Sequence, residues 1–469
     1  MHNLKIWNYL SIPWLVFTLT FFVVFFLLAF LVEVDSSYLS RNYLNKLFLN
    51  TIILSFGSAI LSAIIAVPLA ILVTFYKFPG HKFFSWSLSL SIAFPAYVYA
   101  FIYVGIFEYA SPVSEYLRNF NISLPQIKNI YGASLIMAMA LFPYIFLLTK
   151  AHLGSVGIKV FKAAKSLGDT NITAIRKVII PSLWPTIIAG MALVIFETVA
   201  DFGGVSTLRV DTFTVGIYDA WFGYQSYFSA TRLAGFLLLF VFLIMFLAKY
   251  FGEKSVHLAS KTAETFERIE TTPIVRIGML IFCSLIFIIV FCIPTSQLIV
   301  WNLADSNLNL ISNLQLLINS LIVGLLASVI TVFFAIALAL SYKHSNILKS
   351  SILISSSGYA IPGSVISAGL LVGIDYIFDT SITFYGILGL LMCLSLRFMT
   401  PAFNYISASL SNISRSAERA LTTLPRDSFK AFKLFYLPQM KPAIFLSLML
   451  VFIESIKEQP ATLLLRPIG

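Results

Sequence analysis

The sequence predicts an all-α, polytopic membrane protein built from two repeated halves. Of its 469 residues, 59% are hydrophobic and only 11% are charged, whereas soluble domains average about 45–50% apolar and about 25% charged residues. The apolar residues come in runs of roughly 20, the length at which a helix crosses a bilayer while satisfying its own backbone hydrogen bonds. A basic segment of the first half also returns in the second half at a constant offset, which indicates an internal repeat.

We expect six membrane spans in the first half and five in the second. The first apolar run is interpreted as a retained span, because Glu33-Val34-Asp35 after it does not resemble a signal-peptide cleavage site. Pro95 and Pro362 lie within the third span of each half and are expected to kink it. The expected spans are 12–32, 48–76, 85–107, 131–149, 182–200 and 232–251, then 275–300, 315–341, 351–374, 382–406 and 441–456.

The spans divide the chain into a first permease-like half, 1–251, and a second half, 274–469. The linker 252–273 is the one long polar stretch of mixed charge, and we expect it to be cytoplasmic and partly helical. The second half stops at Gly469, in the segment that is equivalent to the first-half loop before the sixth span. We therefore expect the last helix to be missing and the C-terminus to be incomplete.

The distribution of charge predicts the orientation of the chain. A net charge of +11 would also suit a nucleic-acid-binding protein. However, Lys and Arg concentrate in alternate loops, which carry far more basic than acidic residues if the N-terminus is cytoplasmic, whereas Asp and Glu predominate on the other side. We therefore expect a multi-pass protein of the cell inner membrane, embedded in the lipid bilayer, with a cytoplasmic N-terminus and no nucleic-acid partner.

The first basic segment, FKAAKSLGDTNITAIRKVIIPSLWP, runs from Phe161 to Pro185. Basic and apolar residues alternate along it and Gly168-Asp169-Thr170 interrupts them, which predicts a helix, a turn and a second helix facing the cytoplasm. An amphipathic helix on the membrane surface is the alternative. Because the segment occurs twice and each copy leads into a span, we favour a more specific function than attachment to the membrane surface. The matched positions are Lys162 and Arg419, Ala163 and Ala420, Gly168 and Pro425, and Pro181 and Pro438.

This pattern resembles the cytoplasmic Glu-Ala-Ala loop of ABC-importer permeases, which continues to a Gly and then a Pro. The match rests on Ala163, Ala164, Gly168 and Pro181. The departures are Lys162 and Arg419 for the leading Glu, Leu421 for the second Ala and Pro425 for the Gly. Glu197-Thr-Val-Ala-Asp-Phe-Gly203, Thr212 to Gly223 and Lys457 to Pro467 are similar to ferric-iron importer permeases, so the resemblance covers essentially the whole chain.

The resemblance implies a type I ABC importer permease (MetI-like) fold and a transport subunit rather than an enzyme. In such permeases the loop is a coupling helix seated in a groove of a cytoplasmic ATPase subunit, a known mode of helix recognition. The implied partners are a cytoplasmic ABC ATPase dimer and a periplasmic substrate-binding protein that delivers ferric iron; no cofactor is implied. The chain has no Gly-x-x-x-x-Gly-Lys-Ser/Thr loop, so another chain must hydrolyse ATP.

Four carboxylates form a second repeated feature. Glu197 and Asp201 share one helix face near the end of the fifth span, and Glu454 and Glu458 repeat them in the second half. Ionisable groups in spans usually face a cavity or a partner. One interpretation is structural, with pairing to Lys457 or hydrogen bonds to the backbone. The other places all four along a translocation path that binds hard cations weakly, without a tight metal site.

Aromatic and charged residues mix in the outer loop 203–230. Aromatic side chains at this level usually form a belt at the membrane interface. The alternative is a docking surface for a soluble substrate-binding protein. The aromatic residues are Phe213, Tyr218, Trp221, Phe222, Tyr224, Tyr227 and Phe228.

Other functions remain open at this point. A permease of the same superfamily for thiamine or another small solute fits the same residues, because the binding protein largely chooses the substrate. An ion-coupled secondary transporter is also built from repeats with polar groups at mid-membrane, but it would not need two ATPase-docking loops. A channel would need no partner at all.

Overall fold

A computed structural model describes residues 5–33, 39–252, 268–304, 310–378, 386–414 and 432–466. These residues form helices joined by turns, apart from one isolated parallel bridge between Tyr76 and Ile269. The all-α prediction is therefore confirmed for the described part of the chain. In chain order the α-helices are α1 (Lys5–Phe30), α2 (Arg41–Phe75), α3 (His81–Ser87), α4 (Ala96–Phe107), α5 (Pro112–Arg118), α6 (Ile130–His152), α7 (Ile158–Ser166), α8 (Asn171–Ala174), α9 (Ile180–Ala200), α10 (Gly203–Thr207), α11 (Phe213–Tyr218), α12 (Tyr227–Gly252), α13 (Pro273–Phe287), α14 (Ile293–Ala304), α15 (Leu310–His344), α16 (Lys349–Ser355), α17 (Gly363–Phe378), α18 (Gly386–Ser411), α19 (Leu437–Lys457) and α20 (Gln459–Leu465).

The predicted membrane spans coincide in place with apolar helices of the structure, and the predicted number, eleven, is the upper count that these helices allow. Within the described residues, nine helices are long and apolar enough to cross a membrane, or up to eleven if each of two bent pairs counts as one span. Several helices run past the apolar runs that predicted them. The span expected at 131–149 is a continuous helix from Ile130 to Ser166, because a π-helical segment, Leu153–Gly157, joins α6 to α7.

The third span of each half is broken at its proline, as expected. His81–Ala93 meets Ala96–Arg118 at 90°, and Lys349–Ala360 meets Gly363–Tyr376 at 116°. Pro95 and Pro362 occupy the two breaks. Proline lacks the N–H that would continue the helix and disfavours helical backbone at the residue before it, which explains a sharp bend at these points.

The internal repeat is visible in the helix boundaries. A five-residue π-helix, Ile175–Ile179, leads directly into the 21-residue helix α9. In the second half a five-residue π-helix, Phe432–Tyr436, leads into α19, which is also 21 residues long. The fifth spans of the two halves therefore have the same helical segments with the same lengths.

One of two compact units comprises Met1–Leu39, Gly216–Leu239 and Asn307–Gly469. Here α1 packs against α15, α16 and α17. The Trp14 ring stacks on Phe334 with centroids 4.9 Å apart, and the Thr18 hydroxyl donates to Ser355 Oγ at 2.9 Å. The first span of the first half thus packs on helices of the second half.

The other unit comprises Ser40–Val215 and Phe240–Ser306. Here α13 packs against α3, and α14 against α4. The Phe83 and Phe287 rings lie 5.3 Å apart, as do the rings of Phe101 and Trp301. The first span of the second half thus packs on helices of the first half. The division into halves 1–251 and 274–469 remains a prediction from the sequence repeat. The compact units differ from it, because the unit with most of the second half contains the first span of the first half, and the unit with most of the first half contains the first span of the second half.

Candidate functional site

The first basic segment forms the predicted helix, turn and helix. Helix α7 ends at Ser166, and Gly168 then adopts a φ of +94°. Thr170 begins the next helix as its N-cap, because its Oγ1 accepts a hydrogen bond from Thr173 N at 3.2 Å. A positive φ is accessible to glycine at little cost, so Gly168 supplies the turn.

The inner side of this segment is fixed to its own unit. Phe161 is 3% exposed, and its ring lies 5.0 Å from that of Phe75 at the end of α2. Ala164 and Ala174 are also buried, one on each side of the turn. The two short helices are therefore anchored through small and aromatic side chains.

The outer side of the segment presents apolar side chains beside positive charge. Leu167 is 87% exposed and Ile172 is 75% exposed. The exposed residues around them include Lys162, Ala163, Lys165, Gly168, Arg176, Lys177 and Pro181. Leu and Ile at the tip of a loop rimmed by Lys and Arg are not explained by packing within the unit, whereas an anchored amphipathic turn of this kind suits a groove on a partner.

Most of the second basic segment lies outside the described residues, including the predicted positions Arg419, Ala420, Leu421 and Pro425. Pro438 is described and is the second residue of α19, exposed like Pro181, the second residue of α9. Each proline lies just after the π-helical segment that runs into its helix, and it lacks the N–H that would bond to a carbonyl of that segment.

In the first half, Asp201 holds a junction of two helix ends. Its Oδ1 accepts hydrogen bonds from Gly204 N at 2.8 Å and Val205 N at 3.1 Å, which caps α10. Helix α10 packs on α4, the helix that follows the break at Pro95. A Cβ on Gly204 would lie 2.8 Å from Asp201 Oδ1 and 3.4 Å from Ala96 O.

In the second half, Glu458 occupies the equivalent junction. Its side chain accepts from Ala461 N at 3.5 Å and caps α20, which packs on α17, the helix after the break at Pro362. Its Oε2 lies 3.2 Å from Arg397 Nε, and both side chains are only 5% exposed. A Cβ on Gly363 would come within 2.1 Å of Glu458 Oε1, so the carboxylate lies directly against the first turn of α17.

These contacts bear on the four predicted carboxylates one by one. Asp201 and Glu458 make capping hydrogen bonds, and Glu454 forms an ion pair with Lys457 at 2.8 Å, as the structural interpretation expects. A place on the translocation path stays a prediction for all four carboxylates. Glu197 is half-buried in the last turn of α9. The sequence interpretation did not identify Arg397 as a partner, although a lone arginine inside an apolar run is itself a signal of a buried partner.

The aromatic residues of 203–230 divide into two groups. Phe213, Tyr218 and Trp221 are 4%, 4% and 6% exposed, so they are core residues rather than an interface belt or a docking surface. The Tyr218 hydroxyl donates to Pro460 O, beside the Glu458 junction. Phe222, Tyr224, Tyr227 and Phe228 are exposed. Among the described residues no group of three or more His, Cys, Asp or Glu is arranged to hold a metal ion.

Comparison with known proteins identifies a transport domain in part of the chain and relatives along most of it. Residues 66–256 match the binding-protein-dependent transport system inner membrane component family. Over 438 residues the chain is 26% identical to the Fe(3+)-transport system permease protein FbpB 2 of Haemophilus influenzae, covering 91% of this chain and 82% of that protein. It is 24% identical to the putative ferric transport system permease protein FbpB 1 of the same organism, covering 91% and 71%.

A second group of relatives matches a shorter part of the chain. The sulfate transport system permease protein CysT of Salmonella typhimurium is 27% identical over 155 residues, which are 33% of this chain and 55% of that protein. No solved structure matches the chain. The helical architecture and the match over residues 66–256 together show that this multi-pass chain carries a domain of the binding-protein-dependent transport system inner membrane component family, and its relatives over most of its length are transport system permease proteins.

Proposed function

We propose that this permease imports ferric iron and that its N-terminus lies in the cytoplasm. The ferric relatives match 91% of the chain, both halves included, whereas the sulfate relative matches 33%. In this proposal a periplasmic binding protein delivers the ion, and a cytoplasmic ABC ATPase dimer drives its passage. The observation that carries the proposal is the anchored, outward-facing turn of the first basic segment.

The turn at Gly168 and the short helices on either side of it, α7 and α8, act as the coupling element. A movement of the ATPase that displaces Leu167 and Ile172 would be transmitted to the end of α2 through the contact between Phe161 and Phe75. Burying two large aliphatic side chains in a groove contributes about 1.5–3 kcal/mol each. The Lys and Arg residues around the turn would favour a partner groove with acidic residues at its edge. Lys162 stands where the family pattern has Glu, so the contact would not use a carboxylate at this position. The second basic segment, including Arg419 to Pro425, would dock the second ATPase subunit.

A mutational experiment tests the docking role. Leu167→Asp and Ile172→Asp should each abolish transport-linked ATP hydrolysis by the ATPase that co-purifies with the chain, because a carboxylate in an apolar groove is strongly disfavoured. Ile347→Asp is the matched control, since Ile347 is 92% exposed in a loop expected on the same membrane side. If the Leu167 and Ile172 variants hydrolyse ATP and transport at the control rate, the docking assignment is wrong.

The carboxylates at the ends of the fifth spans belong to this proposal in different ways. Asp201 and Glu458 would hold the junctions next to the broken third spans. Glu197, and Glu454 in its ion pair with Lys457, would be the weak cation contacts of the path. Weak contacts suit a path that must release its ion. Glu197→Gln and Glu454→Gln should lower iron uptake without changing the amount of inserted protein, and unaltered uptake would contradict the role.

Substrate is tested by transport in liposomes containing the purified permease and its ATPase. ATP-dependent entry of radiolabelled iron from the binding protein is expected, with sulfate and thiamine as the competing solutes. Sulfate entry would instead support the relationship to the sulfate permease over 155 residues. Entry that follows an ion gradient and ignores ATP would indicate a secondary transporter, and passive entry without partners a channel.

A further inference from the structure

A cationic cavity lies on the side of the first-half helices opposite the basic turn. It has a volume of about 430 Å³ and is lined by the end of α4, by α5, by the loop 123–128 and by Arg209. Three of its lining side chains are basic, Arg118, Lys128 and Arg209, and one is acidic, Glu108. The cavity follows the third span, and the basic turn follows the fourth, so one span separates them.

The charges of the cavity do not cancel. Lys128 Nζ lies 3.0 Å from Glu108 Oε1, so these two residues neutralise each other. The guanidinium groups of Arg118 and Arg209 add further positive charge. That of Arg118 lies 3.9 Å above the Tyr109 ring and donates to Tyr109 O, which fixes it at the wall. A fixed guanidinium presents paired N–H donors that match the geometry of an oxyanion.

A residue of the same wall carries a buried hydroxyl. Ser114 is 4% exposed and lines the cavity, and its Oγ has no hydrogen-bond partner in the part of the chain that the structure describes. Buried polar groups in native proteins are nearly always hydrogen-bonded, so such an atom requires an explanation. An oxyanion at this wall would accept a hydrogen bond from the hydroxyl.

The walls of the cavity are held in place by specific contacts. Ser111 caps α5 by accepting from Ser114 N at 3.0 Å. Asn129 caps α6 by accepting from Tyr131 N and Gly132 N at 3.0 and 2.9 Å. A Cβ on Gly132 would lie 2.2 Å from Ile127 O, so the loop rests directly on the start of α6. A site held in this way does not need to be ordered by its ligand.

We propose that this cavity binds a phosphate-type oxyanion, with Arg118 and Arg209 as the charge partners and Ser114 as a hydrogen-bond donor. The volume exceeds that of a bare phosphate, and Val104, Phe107 and Leu124 supply apolar wall. The ligand is therefore either free phosphate or the headgroup of an anionic lipid, which share this chemistry. The proposal is independent of the transported substrate and of the ATPase.

Binding is measured with the full chain in nanodiscs of phosphatidylcholine, titrated with inorganic phosphate by isothermal calorimetry. The double variant Arg118→Gln/Arg209→Gln should weaken phosphate binding by about a hundredfold, roughly tenfold for each guanidinium removed. Ser114→Ala and Arg209→Gln alone should weaken it less. Arg41→Gln is the control, because Arg41 is exposed at the start of α2, on the same expected side and outside the cavity lining.

A second arm identifies the source of the oxyanion. Nanodiscs containing phosphatidylglycerol should suppress phosphate binding if the headgroup fills the cavity, and native mass spectrometry should then find phosphatidylglycerol bound to the wild type and absent from the double variant. Free phosphate that binds equally in both lipids assigns the site to a soluble anion. If neither ligand binds, or if the double variant with an unchanged melting temperature binds as the wild type does, the proposal is overturned.

Discussion

Arg397 Nε lies 3.2 Å from Glu458 Oε2, and each of the two side chains is only 5% exposed. The pair joins the fourth span of the second half, α18, to the cap of α20. Aligning Pro143 with Pro401 puts Met139 at the position of Arg397 in the first half, where Asp201 caps the equivalent short helix. The two junctions therefore share a capping carboxylate and differ in the buried guanidinium.

Removal of one partner of this pair should destabilise the protein strongly. Arg397→Met leaves Glu458 as a buried charge without its guanidinium, which costs about 3–5 kcal/mol in comparable buried pairs. The double variant Arg397→Met/Glu458→Gln should recover much of that loss. Lys457→Met is the matched control, because its pair with Glu454 is more exposed, at 17% and 18%, and lies within one helix turn. Denaturant unfolding in detergent measures the wild type, Arg397→Met, Glu458→Gln, the double variant and Lys457→Met, and a double variant whose loss is the sum of the two single losses would contradict the coupling.

Two glycines of α17 provide a steric test of the same junction. Gly363→Ala should destabilise the second half by at least about 1–3 kcal/mol, the usual cost of overpacking, because its Cβ would lie 2.1 Å from Glu458 Oε1. Gly373→Ala should be neutral or stabilising, since the nearest atom to its Cβ is Val24 Cγ1 at 3.4 Å and alanine favours helix by about 1 kcal/mol. Thermal unfolding in detergent compares them, and equal melting temperatures would be inconsistent with the close approach.

The first-half junction is tested through its cap. Asp201→Ala removes the acceptor for Gly204 N and Val205 N and should cost about 1 kcal/mol of stability. Asp201→Asn keeps an oxygen acceptor and should cost clearly less. If the site requires the charge of Asp201 rather than a capping oxygen, the Asn and Ala variants would be equally impaired, which would contradict this expectation. Unfolding and uptake are measured on the same preparations.

The spans and the repeat could be predicted because they follow from local properties of the sequence. The length of an apolar run predicts a span, and Pro95 and Pro362 mark the two sharp bends, whereas Pro68 and Pro143 lie inside continuous helices. Gly168 was predictable as a turn for the same local reason. The partner of Glu458 was harder to predict, because Arg397 lies on another helix and sequence spacing does not show which helices meet.

The exchange of first spans was not predictable from the residues alone. Helix α1 is apolar on all sides, so its pattern does not specify which helices it contacts. In the structure Trp14 packs on Phe334, and Trp301 packs on Phe101. Such pairings depend on surfaces assembled from distant segments. The burial of Phe213, Tyr218 and Trp221 has the same origin, since a general rule on interfacial aromatics does not consider the short helices that enclose these residues.

The turn at Gly168 links the backbone geometry to the proposed coupling. A Cβ at this position would meet no atom within 4 Å, so a substitution there is limited by the backbone and not by space. At a φ of +94° an ordinary L-residue pays about 1–2 kcal/mol, a β-branched residue more and asparagine less. Gly168→Asn should therefore retain most ATP-driven transport, whereas Gly168→Val should lose it.

The comparison separates a conformational effect from a change in surface chemistry. Gly154→Ala is the matched control, because its Cβ also meets no atom within 4 Å and its φ is not positive. Gly168→Asn adds a polar side chain and Gly168→Val an apolar one, so a loss of transport caused by polarity would affect the asparagine variant more than the valine variant. The expected order is Gly154→Ala, Gly168→Asn and Gly168→Val, from least to most impaired, with equal amounts of protein in the membrane. The opposite order for the two Gly168 variants would show that the turn conformation does not limit coupling.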